Sequence, residues 1–374
     1  MTGSIAGIER FDSPGKGRGL RVTKPFKTGE LLFSTPAHSY VLSVKERGCY
    51  CELCFTRKEG LARCGKCKKA FYCNAKCQKG DWAMHKLECS ALTAFGENWC
   101  PSEISRLVAR ILAKKKTQKE RCASEKMLLI EEIQSHEEDV DNEKREMNVS
   151  CNGFTIEDDE LSHMGTAVYP DVALINHSCL PSVIVTYNGT SAEIRAVKNM
   201  QPGDEVLISY IDLLYPTDDR NNRLRESYYF TCDCQECKTK SKDKAKLKAR
   251  KRSDPIEPEV ISSMSLDEMG AVFDDANVYM LHMMYQAMGV CLYMEDPEGA
   301  IRYGEKILKH YCKLYPPYSL NVSSMYLKLG RLYMGMERYS VGVTALKKAM
   351  AIMEVAHGKN HSYLTELRKE ITKK

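Results

Sequence analysis

The chain has 374 residues, 43% of them hydrophobic, with a formal net charge of +5. Its length suggests two or three domains and its apolar content supports globular cores, which excludes a disordered chain, while the charge is too mild to point to nucleic acid. No apolar run approaches a membrane span and Met1 to Leu20 lack the hydrophobic region of a signal peptide, so an intracellular protein without membrane attachment is expected.

Residues 1–48 read as β structure. Leu20 to Val22, Glu30 to Phe33 and Ser39 to Val44 are rich in aliphatic and aromatic residues, separated by Lys24-Pro25 and Thr28-Gly29. Residues 49–89 interrupt these predicted strands with four pairs of metal-ligand types: Cys51/Cys54, Cys64/Cys67, Cys73/Cys77 and His85/Cys89. Zinc prefers four thiolate or imidazole ligands in a tetrahedron, and a C-x2-C pair puts two sulfurs on one tight turn. The ligands suffice for two closed sites with none left for catalysis, so a structural finger held folded by metal is expected. Most of the 17 cysteines sit in metal-spaced pairs, and zinc thiolates survive in reducing compartments. Glycosylation sequons at Asn148, Asn176, Asn188 and Asn321 are then chance matches.

Residues 90–147 read as a helical insert. After Ser102, the residues Ile104, Leu107, Val108, Ile111 and Leu112 recur at three- and four-residue steps, the apolar stripe of a helix. A second helix is predicted from near Ser124, and its later part, Gln134 to Glu146, carries almost nothing to bury. Strand character returns in 148–210. Val183 to Tyr187 and Ala192 to Val197 flank Asn188-Gly189, both of which tolerate the positive φ of a type I′ hairpin turn. Pro202-Gly203 makes the next turn and Val206 to Tyr210 the next strand. In 211–240, Cys232, Cys234 and Cys237 offer three of the four ligands that zinc needs. The charge run at 238–252 reads as a solvated helix or linker rather than a nucleic-acid patch.

From 266 to 374 the pattern is helical. Tyr285-x-x-Met288-Gly289 recurs as Tyr326-x-x-Leu329-Gly330, and each copy is followed by a second amphipathic segment, Ala300 to Tyr311 and Val343 to Val355. Paired helices with Gly at the close contact resemble tetratricopeptide repeats. Two repeats are too few for a free solenoid, so this region should pack on another part of the chain, with its Met and Tyr residues as core.

Three short segments carry a wider resemblance. Lys16-Gly17-Arg18-Gly19, Asn176-His177-Ser178-Cys179 and Glu205-Val206-Leu207-Ile208-Ser209-Tyr210 resemble the three signatures of SET-domain lysine methyltransferases, and the eight-ligand pattern resembles a MYND finger. A SET fold divided by a MYND finger and followed by helical repeats is similar to the SET and MYND domain-containing family. Phrases such as Phe95-Gly96-Glu97-Asn98-Trp99 and the Tyr210 to Thr217 stretch are close to one of its members. The resemblance implies an α+β multidomain fold: a SET domain N-terminal part at 1–48, the MYND zinc finger at 49–89, a helical insert at 90–147, the rest of the SET β-fold at 148–210, a post-SET zinc segment at 211–240, a basic linker at 241–265 and an α-helical tetratricopeptide-like domain at 266–374.

It also implies chemistry and partners. S-adenosylmethionine would be the methyl donor, and lysines of histone H3 and non-histone proteins the acceptors, in cytoplasm and nucleus, with roles in transcription regulation. The finger and repeats would bind chaperone or proline-rich partners, and the chain would act as a monomer without binding nucleic acid directly. Cys179 would complete a third structural zinc site with Cys232, Cys234 and Cys237. Tyr210 is the catalytic tyrosine by motif position. Lys16, Gly17, Arg18, His136, Asn176, His177, Tyr228 and Phe230 would hold the cofactor, and Gly153, Phe154 and Thr155, with Tyr210 and Tyr228, the substrate peptide. Cys49, Cys100, Cys122, Cys151, Cys291 and Cys312 have no role in this scheme and are expected to be buried, inert thiols. The chain is shorter than the family pattern between Lys144 and Cys151 and between Arg252 and Leu266, and Ser182 replaces the usual Asn after Pro181.

Overall fold

The computed structural model describes residues 4–94, 101–118, 120–133, 151–250 and 264–372. In chain order, β1 (Ile8–Ser13) and β2 (Gly17–Val22) form an antiparallel hairpin, followed by β3 (Leu31–Pro36), β4 (Ser39–Leu42) and the short pair β5 (Ala62–Arg63) and β6 (Phe71–Tyr72). After the helical insert come β7 (Gly153–Glu157), β8 (His163–Val168), β9 (Asn176–His177), β10 (Val183–Asn188), β11 (Ser191–Ala196) and β12 (Leu207–Ile208). Two three-stranded sheets result, in orders β10-β11-β3 and β4-β8-β7. Their inner faces share one core with the first hairpin, containing Leu20, Val22, Leu42, Tyr169, Ile175, Ile194 and Val206. The sequence reading missed β1, where Ile8 and Phe11 are the apolar residues between charged ones.

Turn chemistry explains two connections. Asn188 pairs with Ser191, so the hairpin loop is Gly189-Thr190, one residue later than expected, and only Gly189 has positive φ, at +59°. Gly at the first central position is the pattern of a type II′ turn. At Pro202-Gly203 the expected turn is present: Asp204 N–H donates to the Gln201 carbonyl at 2.9 Å, and Gly203 has φ +96°.

In the insert, α1 (Ala75–Ala94) belongs to the finger and α2 (Glu103–Thr117) follows it, with the Ser102 hydroxyl accepting the N–H of Ser105 at 3.1 Å as an N-cap. The expected apolar stripe of α2 is only partly used: Leu107 is buried and Leu112 is 54% exposed, while Arg106 and Arg110 are buried beside Leu107. The helix predicted from Ser124 is absent from the described residues up to 133, where a single 3-10 turn, Ile130–Glu132, stands instead. The reason is side-chain competition for backbone donors. The Asp171 carboxylate accepts from the amides of Lys126, Met127 and Leu128 at 3.0, 2.6 and 3.3 Å, and Glu125 accepts from those of Cys122 and Ile130, both at 2.9 Å. The polar stretch Gln134 to Glu146, with His136, lies outside the described residues, as does Cys100.

Toward the C-terminus, α3 (Thr217–Tyr228) precedes two short helices, Gln235–Thr239 and Asp243–Lys246. The charge run is not simply solvated: Lys246 is fully buried, and its ammonium donates to the carbonyls of Leu213 and Tyr215 at 2.8 and 2.9 Å. Burial, aided by the Arg220 charge, pushes its pKa down to about 8. The segment is therefore fixed to the core by two carbonyls that need a donor.

The helical region contains α4 (Val278–Tyr293), α5 (Pro297–Leu314), α6 (Leu320–Gly335), α7 (Tyr339–Ala356) and α8 (Ser362–Thr372). Met280, Met284, Met288, Met325 and Tyr333 are core, as the pattern predicts, but Tyr285 of the first repeat, Tyr293, Met294 and Tyr339 are exposed, because they lie on helix faces or ends turned away from that core. Of the two repeat glycines only Gly330 lies at a close contact, where a Cβ would come 2.6 Å from the Leu346 side chain. Gly289 faces open space, while Gly304 of α5, against Leu329, and Gly342 of α7, against Met334, make further close contacts. The region packs on the β sheets: Thr186 donates to the Ala356 carbonyl at 3.2 Å, His361 Nε2 to the Tyr187 carbonyl at 3.0 Å, and Arg331 pairs with Asp159 at 2.8 Å. Among the described residues no helix is long and apolar enough to cross a membrane.

Candidate active site and metal centres

The finger resolves its four ligand pairs into two interleaved sets. Cys51, Cys54, Cys73 and Cys77 gather in one, and Cys64, Cys67, His85 and Cys89 in the other, with all ligand atoms of each set within 4.8 Å of one another. The loop before β5, the β5–β6 turn, the β6–α1 connection with Cys73, and α1 supply them, and His85 and Cys89 share a helix face because they are one turn apart. The separations Cys54–Cys73, Cys64–Cys89 and Cys67–His85 are 3.7, 3.8 and 3.6 Å. A zinc–sulfur bond of about 2.3 Å gives a tetrahedral edge of about 3.8 Å, so both donor sets fit zinc.

Cys179, Cys232, Cys234 and Cys237 form a third set of the same size, with Cys179 and Cys237 sulfurs 3.5 Å apart. This set holds a residue that sequence reasoning missed. Arg220, fully buried on α3, donates through Nε to the Cys179 sulfur at 3.2 Å, through Nη2 to the Cys237 sulfur at 3.6 Å and the Thr217 hydroxyl, and through Nη1 to the Tyr215 carbonyl. An arginine on a helix rich in charges reads as exposed, so no sequence signal marked it.

Next to this cluster, β9 and β12 run parallel, with Asn176 opposite Leu207 and His177 opposite Ile208, and Ser178 N–H donates to the Ile208 carbonyl at 2.9 Å. Two of the three signature segments are thereby paired. The third joins through Asn176, whose amide donates to the Arg18 carbonyl at 3.2 Å and to Glu205 at 2.9 Å. Glu205 also pairs with Lys16 at 3.1 Å, which makes it a hub that the sequence reading did not single out. Gly19 is pressed against this hub, since a Cβ there would lie 2.8 Å from the Asn176 amide nitrogen. Gly17, with φ +72°, has open space beside its Cα. The open main chain at Gly17 fits the close approach of a ligand.

An aromatic group adjoins the pairing. Tyr210 lies 4.9 Å from Tyr228 and 5.3 Å from His177 between ring centres, and Phe230 lies 5.8 Å from His177. Tyr229, left-handed at φ +61°, caps α3 and turns the chain so that Phe230 rejoins the group. Tyr210 hydroxyl donates to the Ile175 carbonyl at 2.6 Å, and burial, with smaller contributions from Tyr228 and Glu205, pushes its phenol well above the ordinary range. It is a neutral donor whose oxygen keeps accepting capacity. His177 is engaged on both nitrogens: Nδ1 accepts the Tyr210 N–H at 3.0 Å, and Nε2 lies 3.4 Å from the Cys179 sulfur. That pattern puts the proton on Nε2 and leaves only the main chain of His177 for a cofactor.

Gly153, Phe154 and Thr155 lie on β7, the edge strand of its sheet, with Phe154 against Tyr169 at 5.7 Å. Cys151, just before them, donates to the Ser227 carbonyl at 3.0 Å beside Tyr228. The remaining thiols depart from expectation: Cys122, Cys151 and Cys291 are partly exposed, and Cys49 and Cys312 are exposed. Cys291 packs at the edge of the helical core, and the others sit in loops or on outward helix faces.

Residues 51–89 match the profile of the MYND finger. Over nearly its whole length the chain is similar to N-lysine methyltransferase SMYD2-B of Xenopus laevis, 57% identical over 427 positions that cover 99% of each chain. It is also similar to N-lysine methyltransferase SMYD2 of Homo sapiens, 57% identical over 425 positions that cover 98% of each. The Bos taurus protein of that name is 57% identical over 423 positions, again 98% of each. These alignments are longer than the 374 residues here, so some 50 positions of the relatives have no counterpart in this chain, in keeping with the shortening expected from the sequence.

Proposed function

The chain belongs to the SET and MYND domain-containing family of protein-lysine methyltransferases, and from that premise we propose that it methylates lysine side chains of histone H3 and of non-histone proteins, using S-adenosylmethionine. The observation that carries this reading is the parallel pairing of β9 with β12, which joins the Lys16–Arg18 segment, Asn176, His177 and Tyr210 in one set of contacts.

When bound, S-adenosylmethionine supplies an electrophilic methyl group on a sulfonium. Lys16, Gly17, Arg18, Asn176, the main chain of His177 and Phe230 would hold it. The acceptor lysine must present a lone pair, yet with an ordinary pKa near 10.4 fewer than about one in a thousand is neutral at pH 7. The rings of Tyr210 and Tyr228 disfavour the hydrated ammonium by excluding water, and their π faces favour positive charge at the transferring group. Tyr210, held as a neutral phenol that already donates to Ile175, would accept an amine N–H and so orient the lone pair, rather than remove the proton as a phenolate. The open edge of β7 would take the substrate backbone by β-augmentation, placing Gly153 to Thr155 along the peptide. The three zincs are structural in this reading. The chain would work as a monomer in cytoplasm and nucleus, on chromatin as a transcription regulator and on other proteins.

Steady-state methyl transfer to an H3 peptide and to a panel of non-histone peptides tests the reading. Tyr210→Phe should lower kcat by a factor on the order of 10² while leaving cofactor affinity nearly unchanged by calorimetry. Equal kcat would remove Tyr210 from the chemistry. A second reading, a catalytically weak adaptor that binds proline-rich or chaperone peptides through the finger and helices, is favoured by the missing 50 or so positions. It predicts no calorimetric signal with S-adenosylmethionine while peptide binding persists.

A further inference from the structure

Among the described residues, one other group of metal-ligand side chains converges outside the three zinc clusters. His38 stands just before β4, and Cys122 and Glu125 lie in the loop after α2; one ligand atom from each falls within 4.8 Å of the other two. His38 and Glu125 are each only 4% exposed, and Cys122 is partly exposed, so the group is accessible from one side. No role in the proposed methyl transfer falls to any of them.

The surrounding bonds orient all three toward one another. His38 Nδ1 shares a hydrogen bond with the Ser39 hydroxyl at 3.2 Å, while Nε2 faces Glu125 Oε1 at 4.0 Å. The Glu125 carboxylate is anchored by the amides of Cys122 and Ile130, the kind of outer support that ligating carboxylates carry. Cys122 Sγ lies 2.8 Å from Gln118 Oε1. In the same turn Ser124 is 1% exposed and its hydroxyl has no hydrogen-bond partner among the described residues, an unusual state for a buried polar group. Two cations border the site, Lys114, whose ammonium donates to the His38 carbonyl, and Arg121, whose guanidinium donates to the carbonyls of Glu125 and Lys126, and two anionic ligands would offset them.

We propose that His38, Cys122 and Glu125 form a fourth zinc site with one coordination position open to water or to the Gln118 amide oxygen. One imidazole nitrogen, one thiolate and one carboxylate oxygen suit a borderline-soft divalent cation, and three protein ligands plus an open position is a geometry that zinc adopts. Binding forms one bond from zinc to each donor, sends the Cys122 proton to solvent and changes no oxidation state. With three protein ligands instead of four, this site holds metal less tightly than the cysteine-rich clusters. It fills when zinc is supplied and empties first. When filled, it ties the loop after α2 to the start of β4.

The full chain, purified with its structural zinc and checked by metal analysis, is titrated with zinc ion by calorimetry. One further equivalent should bind, and Cys122→Ser and His38→Gln should each weaken it by at least about tenfold, while Cys312→Ser, at an exposed thiol elsewhere, should leave it unchanged. Cobalt(II) added to the same protein, with the structural zinc still retained, should give a thiolate-to-cobalt absorption that Cys122→Ser abolishes. Absence of a further equivalent, or of a thiolate band in the unmodified protein, overturns the proposal whether or not the variants fold. So does a further equivalent that survives in the Cys122→Ser, His38→Gln double variant.

Discussion

Arg220 shows how one side chain can support both metal and fold. Four thiolates around one zinc leave an excess of negative charge, and a buried guanidinium within reach of two sulfurs offsets it. Burial would lower the Arg220 pKa, but the charges and hydrogen bonds of Cys179 and Cys237 outweigh burial and raise it. Arg220→Met keeps the length and loses the donors. It should make the third zinc about 10- to 100-fold easier to strip with a competing chelator, leaving both finger zincs in place, as read by metal analysis of each chelator step. An unchanged release curve would reduce Arg220 to packing. Since His177 lies between Cys179 and the Tyr210 amide, stripping this zinc should also perturb Tyr210 fluorescence.

Among the elements, α2 carries the most consequential departure from its sequence pattern. Its helical period was legible, because apolar spacing and the Ser102 cap are local signals. Which face it buries was not. Arg106 bonds Glu88 at 3.0 Å and Glu52 at 3.4 Å and donates to the Leu42 carbonyl, and Arg110 bonds Asp81 at 3.3 Å and donates to the Tyr40 carbonyl. The finger is thus joined to β4 through a buried ion-pair network on α2. Removing one member of such a network leaves an uncompensated buried charge, so Arg106→Ala should cost about 3–5 kcal/mol in urea unfolding. A loss below about 1 kcal/mol would place the network in effective contact with solvent. The network also has a pH signature. Burial alone would raise the Glu88 carboxyl, but Arg106 and Arg110 together outweigh burial and hold it below its ordinary value. Its contribution is therefore complete above about pH 4.3 and is lost as pH falls further.

At the scale of the whole molecule, the helical region is attached to the β sheets through buried histidines. His357 is enclosed at the end of α7, where burial first, then His361 and Arg195, push its pKa down to about 3. An ordinary imidazole titrates near 6.5, so the neutral buried form contributes stability that is fully present above that pH and is lost as pH falls toward 3. A single such group gives a slope of about 1.4 kcal/mol per pH unit in that window. Compared with His357→Gln, the unmodified chain should therefore lose stability more steeply between pH 6.5 and 5, most visibly as faster amide exchange at the α7–α8 connection. Parallel pH dependences in the two proteins would mean that His357 is hydrated.

The sequence alone determined what depends on residue type at short range. Eleven ligands at metal spacing, the three signature segments, the Pro202-Gly203 turn and the period of α2 are all set by neighbours within a few residues and are present in the structure, while Cys179, implied only by the resemblance, joins its cluster from a distant segment. Tertiary structure decided whatever depends on a distant partner. The finger pairs could combine in several ways, and chain closure selected the interleaved one. Asp171, some 45 residues away, takes the amides of Lys126 to Leu128 and replaces the predicted helix with a loop. Lys246, Arg220, Arg106 and Arg110 are buried because carbonyls, sulfurs and carboxylates from other segments meet them there. A charged side chain is buried only where such partners repay its lost hydration, and no local pattern records where those partners will be.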